Sequence, residues 1–380
     1  MEQTNTINSK KTTVKLRFTY KELGVFLLLF FLNLKFAAIT IIQDRSVVID
    51  LIVYLLLVVT FNYSNWTYKS LINTGIAIGV YTIINFSQYK LNVLMPLLVI
   101  QSVSGISFKR YLGINFIIIG ITLLVMYAVY GEGTNWVGFT PDADRKARMT
   151  FGFTHPNTVA LYYYCFMING MLLVYFSRLK KKYVSAYLLL IIPLWFYIYH
   201  MTVSRSFLLS IVVLYLTYSY FFLGLIINKK NIFRITSYFY IALLFIFSII
   251  TIFFTILKED FKILNRILSN RLDLYSWFLD KLTIFDFFFG STAYKDRFID
   301  SSYLHLFFEG GVFFFIGFSV FYILSTIKMV NKKEWIPICI IMSFMSYGLM
   351  ETLFLYSMLI GTNIFWVMLY FYYRNGKMQL

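Results

Sequence analysis

Arg148-Met-Thr-Phe-Gly-Phe-Thr-His155-Pro156-Asn157 closes a polar segment, 131–155, and opens an apolar run at 158–176. The change of character at Pro156 decides the fold class. Proline suits the first turn of a helix, because the N–H it lacks would be unpaired there. The apolar run that follows is long enough to cross a bilayer's hydrocarbon layer, about 30 Å thick. The free N–H groups of such a first turn, together with the helix dipole, attract an anion. Arg148 and Arg145 lie just upstream, where they can fold over the same point. The stretch reads as the outer mouth of a membrane helix facing an anionic lipid headgroup. The plainer alternative is a capped helix start with snorkelling arginines.

Composition points the same way. The chain has 380 residues, 59% apolar, 21% aromatic and 13% charged. A soluble protein cannot hide that much apolar surface, so an all-α polytopic membrane protein of one integral domain, 1–380, is expected. Cys165 and Cys339 both fall inside apolar runs and read as buried thiols. The net charge of +17 would suit nucleic acid, but not if the cations sit in short connections between spans, where they report orientation. The first 23 residues are polar and basic, and the next apolar run is too long for a cleaved signal. They read as a cytoplasmic arm before a first membrane helix.

Twelve transmembrane spans are expected, at about 24–42, 47–61, 71–86, 91–106, 112–130, 156–176, 184–200, 207–227, 235–257, 304–327, 336–350 and 353–373, each near the roughly 20 residues a crossing needs. The last two share 38 residues, too many for one crossing, and Glu351 is the expected break. With the N-terminus inside, the inner segments hold 20 Lys and Arg against three acids, while the outer ones hold 13 against 11. That asymmetry fits the positive-inside rule and puts both termini in the cytoplasm. Asn62-Tyr-Ser and Asn65-Trp-Thr match the glycosylation triplet but fall on the inner side, where the match carries no meaning.

Two outer connections are long, 131–155 and 258–303, and long loops in a tight bundle usually carry function. The second holds seven cations, among them Lys295 and Arg297, and seven acids. Its portion 265–279 mixes apolar and charged residues in the manner of one or two amphipathic helices. Four groups of residues could carry chemistry. His155, Pro156 and Asn157 form a helix mouth. Arg205, in the short turn Thr202-Val-Ser204-Arg205-Ser206, should sit at headgroup level, where a charge is paired or functional. Arg266 and Arg271 precede Asp273-Leu-Tyr275-Ser-Trp277, with surface ion pairs as the bland alternative. Asp300-Ser-Ser302-Tyr303-Leu-His305 leads to Glu309. Asp300 or Ser301 can cap that helix, and Glu309 lies about two turns down, paired with Arg205 or poised as a base. His305 faces the cavity or bonds a carbonyl. The chain has no zinc-ligand spacing, P-loop or nucleophile elbow. Three arginines, Arg148, Arg205 and Arg271, remain, and arginine is the residue for a bidentate grip on phosphate.

An arginine before Gly-x-x-His-Pro-Asn, a Ser-Arg turn opening a span, Arg…Trp in a long outer loop, and Asp-Ser-x-Tyr-Leu with Glu-Gly into the next span together resemble the Wzy-type polysaccharide polymerases, within the O-antigen polymerase/ligase superfamily. The resemblance covers about 145–311 by motif and the whole chain by topology. It implies a GT-C-like membrane glycosyltransferase in a bacterial plasma membrane. Donor and acceptor would be polyprenyl-diphosphate-linked glycans, with no metal or other cofactor and no nucleic acid. Flippase and chain-length regulator proteins are the implied partners. It further implies that Arg148, Arg205 and Arg271 clamp the diphosphate, that the base is one of His155, Asp300 and Glu309, and that Asn157, Tyr303 and His305 support them. Related ligases place a histidine before Asn where this chain has Asp300-Ser301, which favours polymerase over ligase. A flippase for the same lipid-linked glycan and a non-catalytic scaffold are the competing expectations.

Overall fold

The structure is a computed structural model and describes residues 19–42, 47–62, 66–86, 94–131, 135–136, 148–153, 155–177, 182–227, 230–267, 270–291, 300–351 and 363–375. The basic arm up to residue 18, Asn65, Arg145, Lys295, Arg297 and the first half of the expected twelfth span lie outside the described residues.

Apart from one two-residue ladder, the described regular elements are helices. They are α1 (Tyr20–Ile42), α2 (Val47–Asn62), α3 (Tyr68–Phe86), α4 (Met95–Val103) and α5 (Phe108–Tyr130). The strands β1 (Asn135–Trp136) and β2 (Arg148–Met149) pair antiparallel. There follow α6 (Pro156–Phe176), α7 (Lys182–Leu190), α8 (Ile192–Thr202), α9 (Arg205–Ile227) and α10 (Lys230–Ile256). Three short helices come next, α11 (Lys262–Ile267), α12 (Arg271–Leu279) and α13 (Ile284–Phe289), then α14 (Ser302–Asn331), α15 (Trp335–Gly348) and α16 (Asn363–Asn375).

Five helical stretches are long and apolar enough to cross a membrane: α5, α6, the pair α7 and α8, α9 and α14. The protein is therefore helical and membrane-spanning. Apolar helices of 10–17 residues lie within three further expected spans, in α2, α10 and α15. The expected fourth span is observed as a helix of only nine residues, α4, which rises about 14 Å and is too short to cross alone. The expected seventh span is interrupted at Ile191. Pro193, in the first turn of α8, supplies no N–H to the preceding turn, so the helix restarts there. In the region 265–279, where one or two amphipathic helices are expected, the structure has α11 and α12.

α6 is the centre of the bundle: 72% of its crossing window is buried, against 22–44% for the other four. It is tied to its neighbours by polar contacts as well as apolar packing. Tyr164 donates to Ser343 Oγ at 2.6 Å, and Ser343 donates to the Ser210 carbonyl at 2.6 Å. That chain links α6, α15 and α9. Each such bond within a bilayer contributes on the order of 0.6 kcal/mol, so the links select an arrangement more than they hold it. Small buried residues at this seam, Ser206, Ser210, Ser343 and Ser346, let α9 and α15 pack along each other.

α14 is broken at Gly311, whose φ of 69° and ψ of 179° are open to glycine and costly for other residues. The break frees the Phe308 carbonyl, which accepts the Ser291 N–H at 2.6 Å. α13 is thereby docked on the kink. A side chain at Gly311 would meet the Phe288 carbonyl oxygen at 2.3 Å, so the close approach of the two backbones needs glycine as well. The segment of α14 before the kink packs with α12 through Leu272, Tyr275, Phe278, Leu304 and Phe308.

Candidate functional site: the mouth of α6

The N-terminus of α6 is built by the stretch that precedes it. Residues 150–153 form a tight turn closed by Phe153 N–H to Thr150 O at 2.9 Å. Its two central residues, Phe151 and Gly152, have φ of 48° and 80°. This mirror-image turn favours glycine, and a Cβ at Gly152 would sit 2.3 Å from the Tyr130 ring. The turn reverses the chain from β2 into α6 and so places Arg148 beside the helix mouth.

His155 is the N-cap of α6. Its Nδ1 accepts the Asn157 N–H at 3.1 Å, and Pro156 follows in the first turn. A histidine that accepts at Nδ1 is neutral and carries its hydrogen on Nε2. Burial, then the charges of Arg148 and Arg271, lower its pKa to about 4. The lone pair that could take a substrate proton is therefore engaged in capping, and His155 is a structural and polarising group in this arrangement.

Arg148 reaches two elements. Its Nε donates to the Thr202 carbonyl at 2.6 Å and its Nη2 to Asn157 Oδ1 at 2.7 Å. Thr202 ends α8, which closes with Val203 in the left-handed region, φ 47°. A cation there satisfies a terminal carbonyl and complements the negative end of the helix dipole. Asn157 Nδ2 in turn donates to Glu351 Oε1. Ser206 Oγ donates to the same oxygen at 3.2 Å, and Ser302 Oγ donates to the Glu351 carbonyl. Glu351 is only 7% exposed. Burial and then the nearby Asp300 raise its pKa to about 8, against the lowering effects of Arg271, Ser206 and Arg148.

Arg271 opens α12, and its Nε lies 2.9 Å from Asp300 Oδ2. Burial raises the Asp300 pKa, with Arg271 opposing. Among the described residues, Tyr275 Oη and Ser301 Oγ beside this pair are buried without a hydrogen-bond partner. Ser301, not Asp300, is the N-cap of α14, and its hydroxyl makes no capping bond. Two buried hydroxyls left unbonded next to a charged pair leave polar capacity for a ligand.

The structure thus gathers Arg148, His155, Asn157, Arg271 and Asp300. Arg205 is the first residue of α9, exposed, and one residue from the Glu351 partner Ser206. The described contact of Glu309 is with His305, one turn away in α14, where Oε2 lies 3.2 Å from Nε2 and both side chains are enclosed. Tyr303 is committed to α15, donating to the Met345 carbonyl at 2.6 Å. Arg266 lies on α11 and is exposed, as the surface alternative held. Sequence reasoning missed Glu351, which it treated as a break between spans. The available signal was a lone carboxylate within a long apolar stretch, a functional-site hypothesis by default.

A scan against protein-family models, a search of the curated proteins and a search of the solved structures each returned no match for this chain.

Proposed function

We propose that this membrane protein is a glycosyltransferase that joins polyprenyl-diphosphate-linked oligosaccharide units into a polysaccharide at the outer face of a bacterial plasma membrane. The observation that carries the proposal is the meeting of Arg148 and Arg271, from connections far apart in the chain, at the capped N-terminus of a buried helix. Both charges act on His155 and on Glu351. Two guanidinium groups beside the positive end of a helix dipole match a diphosphate in charge. In the transfer step the donor's sugar–phosphate bond breaks and negative charge grows on the departing diphosphate. Arginines fixed beforehand stabilise that charge without reorganising. Asp300, held at Arg271, is the carboxylate placed to accept the acceptor hydroxyl's proton. The expected twelve-span, N-inside topology puts this mouth on the outer side, and the tyrosines and tryptophans would supply the carbohydrate platform.

The flippase alternative is favoured by a different observation, an ion pair between Lys35 in α1 and Asp50 in α2, most of it buried, since transporters use intramembrane charges. One experiment separates the two. Vesicles carrying the protein receive donor and acceptor on one leaflet only. New glycosidic bonds without transfer across the bilayer support the enzyme. Arg271→Ala and Arg148→Ala should each cut bond formation by roughly 10²–10³-fold, the usual cost of losing one charge-stabilising donor, with the protein still folded. Wild-type chain lengths in both variants would overturn the assignment.

A further inference from the structure

We infer that Glu351 is the titrating counter-charge of the α6 mouth: in alkaline solution its carboxylate holds Asn157 and balances Arg148 and Arg271 while the site is empty, and it takes up one proton when a diphosphate group occupies the arginines. The inference rests on the anion-binding proposal above and adds a proton to it.

The geometry starts from the Asn157 amide. Its Nδ2 donates to Glu351 Oε1, which leaves Oδ1 as the face that Arg148 Nη2 meets at 2.7 Å. With the amide turned the other way, an N–H pair would confront a guanidinium, which accepts nothing. The carboxylate therefore sets the orientation of Asn157, and Asn157 helps to set Arg148. Ser206 Oγ holds the same carboxylate oxygen from α9, and Ser302 Oγ holds the residue's carbonyl from α14. α6 and α9 hold the side chain, α14 holds the backbone of the same residue, and Glu351 is enclosed.

The charged and titratable groups around it are few. Arg148 of β2, Arg271 of α12 and Asp300 act on it directly. Tyr275 of α12 and Tyr347 of α15 feel its charge. His155 caps α6 beside its partner Asn157, and Arg205 heads α9 beside its partner Ser206. Without ligand the two arginines face two carboxylates. A diphosphate adds at least two negative charges to this enclosed group. An enclosed carboxylate relieves the repulsion by binding a proton. Burial has already brought Glu351 to about 8, so below that pH it holds the proton beforehand and above it binding draws the proton in. A neutral carboxylic acid still offers its carbonyl oxygen to Asn157, so the orientation of the amide survives. Asp300 is the rival proton acceptor, but its oxygen is already in contact with Arg271.

The test uses the purified full-length protein and inorganic diphosphate as the probe, titrated by calorimetry between about pH 6.5 and 9 in buffers of different ionisation enthalpy. Above about pH 8, wild-type affinity should fall about tenfold per pH unit relative to Glu351→Gln, with close to one extra proton taken up per bound diphosphate. The glutamine variant keeps the acceptor for Asn157 and cancels the probe's own titration from the comparison. Ser206→Ala removes a hydrogen bond to the ionised carboxylate and should move the onset of the fall to higher pH. Identical pH profiles for wild type and Glu351→Gln, or weaker binding by Glu351→Gln throughout, would overturn the inference and leave the arginine site standing. Absence of binding by both proteins at every pH would overturn the diphosphate proposal itself. If Glu351→Gln does not fold, an unshifted profile in Ser206→Ala overturns the inference alone.

Discussion

Two clusters of buried charge lie in this molecule, and they are built on opposite plans. In the N-terminal helices Lys35 Nζ meets Asp50 Oδ1 at 2.5 Å, Tyr81 donates to the same oxygen at 2.6 Å, and Lys35 reaches Tyr81 Oη at 3.2 Å. One cation, one carboxylate and one hydroxyl, from α1, α2 and α3, bond one another. At the mouth of α6 two arginines, two carboxylates, an asparagine and a capping histidine are spread over several elements, and Tyr275 Oη and Ser301 Oγ are left unbonded. A closed cluster does what buried pairs do in a membrane: it fixes the register of helices. An open one has donors and charge to spare, which is what binding requires.

Breaking the closed cluster should have the largest effect. Asp50→Ala removes the carboxylate to which Lys35 and Tyr81 both donate and should destabilise the fold by about 3 kcal/mol, at the lower end for such losses because Asp50 is 19% exposed. Thermal unfolding in detergent measures it. A change below about 1 kcal/mol would mean the pair is not closed in the sense described.

The open cluster should respond to pH, with a sign that follows from its two titrating groups. Glu351 has its folded pKa raised to about 8 from 4.5, so the native state binds the extra proton and stability is lost as pH rises through that window. His155 is lowered to about 4 from 6.5, so it contributes stability that is lost as pH falls through 6.5. The two oppose each other below 6.5, and Glu351 acts alone above it. Stability should therefore drop by about 2 kcal/mol between pH 6.5 and 8, and Glu351→Gln should flatten that drop. A flat wild-type profile would remove the buried ionisable carboxyl from the site.

Tyr275→Phe should give the smallest effect and the sharpest contrast. Deleting an unbonded buried hydroxyl should leave the empty protein equally stable or slightly more so. The same change should weaken diphosphate or glycan binding by about 1 kcal/mol if that hydroxyl meets the ligand. Weaker folding with unchanged binding would place Tyr275 in the packing instead.

The sequence was most legible where one local signal dominates. The expected span 156–176 coincides with α6 because proline at the first position and an uninterrupted apolar run act on the same few turns. The break expected at Glu351 is where α15 has ended. The expected span 184–200 is also found as a crossing stretch, 183–202, with an interruption at Ile191 ahead of Pro193 that apolarity alone does not show. The enclosure of Glu309 follows from its place two turns into α14, whereas its contact with His305, one turn away, is visible only in the folded chain.

What the chain determined by itself was therefore the membrane-spanning helical class, most helix boundaries, and the presence of Arg148, His155, Asn157, Arg271 and Asp300 near helix ends. These depend on apolarity and on backbone groups within a turn or two. Only the tertiary structure decided that Glu351 belongs with Asn157, 194 residues earlier in the chain, that His155 spends its lone pair on a cap, and that Lys35 and Asp50 close on Tyr81. Hydrogen bonds and ion pairs act over a few ångströms, and only the packing of helices distant in sequence brings such partners within that range.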